Sequence, residues 1–406
     1  KCGYYAHPND SSTVSVNLGF EPQWILFKAN QSINWYIFDV MRGIVTGGLS
    51  GDGDAALFPN LSGGENVNTF GIDVTSTGFD VAGNNIGSGG NNVLYMAIRR
   101  GGMQTPTAAS DVFAIDNPQS QQTDPGFVSG FPVDFALGKI KNSSSSWYAA
   151  SRLTGSGYLE TDTSGTAEQT TSSIQFDYNN GWWDDVNNTN FVGWMWKRAR
   201  GYFDVVTYTG TGSATTVAHN LGVAPEMIWF FSRSHGNINT VYHSALGSSK
   251  RLKLDNNTAA EDDDNSHNQT DPTSSVFSIG TLNQINGSGR TFVAYLFATC
   301  TGVSKVGSYT ANGSAQNIDC GFSGGNGARF VLIKRTDNSG HWFLFDTTRG
   351  LVSGNDPNLQ LNETNAQETT YDHIDPLEAG FTVAAYGDDS PYVNINGATY
   401  IFYAIA

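Results

Sequence analysis

Apolar and polar residues alternate along this chain in short runs separated by clusters of Gly, Asn, Ser and Asp. Thr13-Val14-Ser15-Val16-Asn17-Leu18 sends its apolar side chains to one face, as do Thr216-Val217-Ala218-His219-Asn220-Leu221 and Asn317-Ile318-Asp319-Cys320-Gly321-Phe322. Period-two alternation marks a half-buried strand. A second kind of run is apolar throughout: Trp24-Ile25-Leu26-Phe27-Lys28, Met227-Ile228-Trp229-Phe230-Phe231 and Phe330-Val331-Leu332-Ile333-Lys334. These have the length and composition of core strands. Apolar residues at i, i+3, i+4 and i+7 do not recur over any long window, so no substantial helix is expected. The pattern predicts an all-β protein.

The runs also repeat in order. "NWYIFDVMRG", Asn34 to Gly43, returns as "HWFLFDTTRG", His341 to Gly350, and the step of 307 from Trp35 to Trp342 recurs from Ala97 to Ala404. A closing aromatic strand appears four times, as Leu94-Tyr95-Met96-Ala97-Ile98, Val192-Gly193-Trp194-Met195-Trp196, Val293-Ala294-Tyr295-Leu296-Phe297 and Ile401-Phe402-Tyr403-Ala404-Ile405. Leucine strands ("LKLDN" at 252–256, "LQLNE" at 359–363) and phenylalanine strands (Phe79, Phe176, Phe277, Phe381) fall between. Self-similarity at a period of about 100 residues predicts a tandem array. The expected units are residues 1–104, 105–201, 202–301 and 302–406, each a jelly-roll-like β-sandwich. The second is the most divergent, with "SWYAASRLTG" where others carry the Trp and Arg-Gly motif. The stretches "RRGGMQTPTAAS" and "TCTGVSKVG" read as short links.

Charge narrows the partners. With 21 Lys plus Arg against 37 Asp plus Glu, the formal charge of −16 repels nucleic acid and anionic lipid headgroups. No run of about 18 apolar residues exists to span a bilayer, so neither membrane insertion nor nucleic-acid binding is expected. Cys2, Cys300 and Cys320 make neither a disulfide framework nor a zinc quartet.

Within the repeated decapeptide, Trp35, Phe38, Trp342 and Phe345 suit a sandwich core, and Asp39 with Arg42, like Asp346 with Arg349, can brace the turn ending at Gly43 or Gly350. These six residues are read as a structural motif. Trp182 and Trp183, flanked by "YNNG" and "DD", look loop-borne, and aromatic faces beside Asn and Asp suit sugars. Trp182, Trp183, Trp35 and Trp342 are the candidate ligand contacts; a buried hairpin pair is the competing reading of the first two. Val16, His219 and Cys320 align on the apolar face of the first alternating strand, which makes His219 and Cys320 core substitutions rather than a base and a nucleophile. "GFSGG", Gly321 to Gly325, has the letters of a nucleophile elbow without its strand-to-helix setting. Glu261 to Asp264 and the pair Asp184-Asp185 read as solvated loops, with Ca²⁺ ligation as the alternative. No catalytic residue, transition metal or cofactor is expected.

One stretch resembles a known family. "YTGTGSATTVAHNLGVAPEMIWFF", Tyr208 to Phe231, with "DPTSSVFSIGTLNQINGSGRTFVAYLFA", Asp271 to Ala298, is similar to the repeat module of tailed-bacteriophage virion proteins, the tail-fibre-like ones above all. The likeness extends to "SYTANGS" and "VLIKR" near the C-terminus. It implies a non-enzymatic protein of the virion surface, on tail or capsid exterior, assembled with other virion proteins as a homo-oligomer, with a trimer the form expected of fibres. A tail-fibre or host-recognition component that meets a cell-surface glycan or protein is the leading expectation. Capsid decoration is the alternative, and a polysaccharide-degrading enzyme ranks last.

Overall fold

The computed structural model describes residues 1–406 except 9, 11, 45–53, 67–69, 83–85, 88, 123, 166, 185, 326 and 388–391. It is an all-β fold of antiparallel sheets, which among the described residues fall into four larger and four smaller ones. The larger sheets share one strand order. From one edge inward run the opening strand, the closing strand, a middle strand and its hairpin partner: Cys2–Ala6, Asn92–Arg99, Pro22–Ala29 and Tyr36–Asp39 in the first segment. Phe113–Asp116, Phe191–Trp196, Phe135–Ile140 and Tyr148–Ser151 repeat it in the second, and Phe203–Thr209, Thr291–Phe297, Met227–Ser232 and Thr240–His243 in the third. The fourth has Ser304–Thr310, Thr399–Ile405, Phe330–Arg335 and Trp342–Asp346.

A small sheet covers one face of each large one, as in a β-sandwich. In the fourth segment Ile318 and Phe381 of the small sheet share a core with Val331, Ile333 and Phe402 of the large one. Phe277 and Ile279 do the same with Ile228, Phe230 and Leu296 in the third. The alternating strands of the sequence form these small sheets, with Val16 opposite Phe79, Val217 opposite Phe277 and Ile318 opposite Phe381. This pairing shifts the expected alignment by two residues. Leu18, not Val16, is the counterpart of His219 and Cys320, and because a shift of two keeps the face, all three remain buried.

Other expectations change more. The opening strands Cys2–Ala6 and Ser304–Thr310 had no place in the reading, and the supposed link "TCTGVSKVG" runs into the second of them. Their alternation is interrupted by Gly3 and Gly307, where a Cβ would collide with Tyr95 and Phe402 of the closing strand. Phe176 belongs to no strand and packs instead over the Trp182 ring. One helical turn, Asn283–Asn286, is the only α-helix among the described residues.

The second face of the large sheets organises the chain. In the second, third and fourth segments that face is as apolar as the first and is buried against its two neighbours. Val192, Trp194 and Trp196 meet Val293, Tyr295 and Phe297, and both meet Ile401, Tyr403 and Ile405. Each pair of segments contributes an aromatic contact: Phe135 with Tyr295 at 4.1 Å between ring centres, Trp196 with Phe330 at 5.6 Å, Phe297 with Tyr403 at 5.0 Å. Buried aromatics of this size each contribute about 1.5–3 kcal/mol, so this shared core binds three segments into one body.

Hydrogen bonds at its rim pass in one direction round the three. Trp342 Nε1 of the fourth segment donates to Lys253 O of the third at 2.9 Å, Asn239 Nδ2 of the third to Glu160 O of the second at 2.9 Å, and Trp147 Nε1 of the second to Gln360 O of the fourth at 3.2 Å. A backbone bond accompanies each, from Ala260 N to Thr336 O, Glu168 N to Arg233 O and Gln367 N to Lys141 O. Head-to-tail contacts that return to their start make a closed ring of three.

Candidate interaction surface

The tryptophans proposed from sequence divide by environment. Gly181–Trp182 pairs with Phe127–Val128, and the Trp182 ring is stacked between Phe127 and Phe176, both centred 5.7 Å away. Trp183 stands edge-on to Phe191 at 4.9 Å and to Tyr148 at 5.2 Å. Both are buried, so neither offers a ring face to a ligand. Trp342 lies inside the ring core. Trp35 alone of the four faces solvent, 42% exposed.

The two copies of the decapeptide build the same turn. Asp39 Oδ2 accepts from Arg42 Nε at 2.6 Å while Oδ1 accepts from the Arg42 backbone N–H at 2.9 Å; Asp346 and Arg349 repeat this at 2.6 and 2.8 Å. Arg42 and Arg349 each reach back to a strand carbonyl, Ile37 O and Leu344 O, and the turns end at Gly43 and Gly350 with φ of 113° and 122°. Only glycine takes such a backbone without strain. The surroundings differ. Asp346 Oδ2 also accepts from Trp194 Nε1 of the second segment at 3.1 Å, and the Arg349 guanidinium lies over that indole. Arg42 of the other pair reaches instead to Glu65 of its own segment, at 3.1 Å.

That contrast extends over the first segment's large sheet. Leu94, Met96 and Ile98 occupy the closing-strand positions of Val192, Trp194 and Trp196, yet they are 54, 39 and 47% exposed. Around them, in register, lie Tyr4 opposite Leu94, Leu26 opposite Met96 and Trp24 opposite Ile98, with Ile37 opposite Leu26 and Trp35 beyond it. Scattered apolar residues on a surface mean little, but a contiguous sheet face of them marks an interaction site.

A buried charge cluster holds this segment to the ring. Arg198 donates to both oxygens of Glu21 at 2.7 and 2.6 Å and to Asp204 at 2.6 Å, and its backbone N–H donates to Asp134 at 2.7 Å. Arg100 binds both Asp134 oxygens at 3.1 Å. Burial pushes the Glu21 carboxyl up, but the charge and hydrogen bonds of Arg198, with the charge of Arg100, together hold the group below the usual carboxylate range. Asp134 is lowered in the same way, with Arg100 foremost against burial. A cleft of about 340 Å³ opens beside the cluster, lined by Glu21, Trp24, Asp39, Arg100, Asp134 and Arg152. Its carboxylates face arginines, the wrong setting for a proton-donating acid.

The reactive residues are occupied or shielded. His219 is buried, its Nε2 bonded to Thr273 O at 3.1 Å and its Nδ1 accepting from Leu221 N at 3.3 Å, and burial lowers its pKa. Burial pushes the Cys320 thiol up to about 12. Ser323 is exposed in irregular chain before a bend at Gly324 and Gly325, and no helix follows it among the described residues. The acidic run is paired strand to strand, Lys250 with Asp262, Arg251 with Asp263 and Lys253 with Glu261. Asp185 lies outside the described residues. Among the described residues no group of three His, Cys, Asp or Glu could hold a metal ion, and no helix is long and apolar enough to cross a membrane.

The three ring segments coincide with a family match. A family model described as "Domain of unknown function (DUF7483)" matches residues 120–406. The chain belongs to this family. The match takes in every strand from Phe127–Val128 to Thr399–Ile405, hence the ring apart from its strand Phe113–Asp116, and stops short of the first segment. No curated protein matches the chain. Sequence reading missed both the ring and the uncovered face. The only signal was that the closing strands are apolar on both sides, which a single sandwich does not require.

Proposed function

We propose that the chain is a non-enzymatic structural component of a tailed-bacteriophage particle, built as a tandem array of four related jelly-roll-like β-sandwich modules. The observation that carries the structural role is the fourfold return of one strand order, with three of the four sheets spending their second face on one another and the fourth leaving it open. Such a chain devotes its apolar surface to assembly. The virion setting rests on the resemblance of residues 208–231 and 271–298 to phage repeat modules. In the cleft beside Glu21 the carboxylates are paired with arginines, so that cleft does not supply the carboxyl of raised pKa that glycoside hydrolysis needs.

Mass spectrometry of purified particles of the phage that encodes the sequence tests this reading. The chain is expected as a multicopy constituent. Its absence from particles that retain their other capsid and tail proteins would sink the assignment.

Host recognition is a second reading, favoured by Trp35. Its exposed indole stands beside Asn34 and Asn60, whose side chains bond each other at 3.0 Å, an aromatic-and-amide setting suited to a sugar. Saturable binding of the purified chain to host cells or their extracted surface glycans would move the role from scaffold to recognition.

A further inference from the structure

We infer that the open face of the first segment's large sheet is a self-association surface, on which three copies of the chain close a ring like the one the other three segments form within a single copy. This does not rest on the virion reading. It rests on position-by-position equivalence between a covered interface and an uncovered one.

The ring interface has an apolar centre and two rims, one that receives a neighbour and one that is received. The first segment has all three. Its centre is Leu94, Met96 and Ile98 with Trp24, Leu26 and Ile37, in the register that puts Trp194, Leu137 and Ala149, or Tyr403, Leu332 and Leu344, inside the ring. On the receiving rim, Trp35 stands where Trp147 and Trp342 stand. The backbone N–H of each is held alike, Trp35 by Asn60 Oδ1 at 2.9 Å, Trp147 by Asp162 Oδ1 at 3.1 Å and Trp342 by Asn362 Oδ1 at 2.8 Å. The indoles of Trp147 and Trp342 then donate to a neighbour's carbonyl, while that of Trp35 is in solvent.

Lys28 completes the receiving rim. Lys334 and Lys139 hold carbonyls of their own following turn, and each also takes one from the neighbouring segment, Thr258 O at 2.8 Å and Thr364 O at 2.9 Å. Lys28 binds the carbonyls of Gln31 and Ile33 of its own turn and, among the described residues, no neighbour's. On the received rim, Leu57 bridges Ile37 as Leu359 bridges Leu344 and Leu252 bridges Val241. Leu359 and Leu252 are buried whereas Leu57 is exposed. The residue after each leucine supplies the accepting carbonyl in the ring, Gln360 and Lys253, which assigns that place to Phe58.

Inside the ring each receiving rim is met by the received rim of the next segment, and the first segment carries both rims on one module. They join head to tail, and the closure seen within the chain is at three. The occupant is therefore a second and a third copy of this chain, with Trp35 of one meeting Phe58 O of the next.

Sedimentation velocity and native mass spectrometry of the whole 406-residue chain over a concentration series test the inference. The expected species at high concentration is the trimer, dissociating to monomer on dilution. Met96→Glu puts a carboxylate at the centre of the face and is expected to abolish the trimer, and Leu94→Glu likewise. Both sites are solvent-exposed in the single chain, so the circular dichroism spectrum and unfolding midpoint of the monomer should match the wild type at the same dilution. A wild-type chain that stays monomeric throughout would overturn the inference, as would a dimer, or a trimer that survives both substitutions in a folded protein.

Discussion

The duplicated decapeptide allows one ion pair to be weighed in two settings. Replacing Arg349 with Met removes the guanidinium but keeps much of the aliphatic volume. Asp346 is left with no exposed side-chain surface, holding a Trp194 indole N–H and a backbone N–H, with Lys141 the remaining cation within electrostatic reach. Breaking a buried pair in this way costs about 3–5 kcal/mol. Arg42→Met breaks a pair of the same 2.6 Å geometry whose side chains are 23 and 22% exposed. Water screens the abandoned Asp39, and the cost is about 0–1 kcal/mol. With a urea slope of about 3 kcal/mol per M, the Arg349 change lowers the midpoint of the unfolding transition by about 1 M or more and the Arg42 change by less than about 0.3 M. Near-ultraviolet circular dichroism follows the ring core through its buried tryptophans, at dilutions where the chain is monomeric. Equal shifts for the two variants would refute the reasoning, because they would show that the local turn, rather than burial between segments, sets the value of the pair.

Other perturbations have equally definite outcomes. Trp182→Ala should destabilise by about 3–5 kcal/mol, the cost of emptying a large aromatic site, measured by urea unfolding; a fold of unchanged stability would show that the ring is not the packed one described here. Gly380→Ala would bring a Cβ to 2.1 Å from Ile318 O on the neighbouring strand of the small sheet, and the overpacking should cost about 1–3 kcal/mol in the same assay. Burial holds His243 and His267 down to about 3 and His373 to about 4. A base with a depressed folded pKa contributes stability that is present above its unfolded value of about 6.5 and lost as pH falls towards its folded one, at up to about 1.4 kcal/mol per pH unit for each group. These three groups therefore pull the denaturation midpoint down from pH 6.5 to pH 4, opposed by Asp356 and Asp255, whose carboxyls burial raises to about 7 and about 6. His267→Phe, which keeps a ring against Phe230 and Tyr242, should flatten that slope.

Local chemistry in the sequence was enough for the all-β class, the absence of any long helix and the return of the same strands in the same order. Alternation and unbroken apolar runs are properties of neighbouring residues, and the turns of the repeated decapeptide are fixed by Asp, Arg and Gly within a few positions of one another. The fate of the tryptophans was not legible in this way. Trp182 sits among Asn, Gly and Asp that suggest a loop, but Phe127, from far earlier in the chain, and the nearby Phe176 close over it. Trp35 and Trp342 share a motif and part company only because one has a neighbouring segment against it. The same holds for Met96 and Trp194. Both lie on closing strands that are apolar on both sides, and nothing in either run says whether the second side meets another sheet or water. Sequence sets what a face is made of, through side chains spaced two apart. Which faces meet is decided by contacts between residues a hundred or more positions apart, and those depend on how the segments are placed in space.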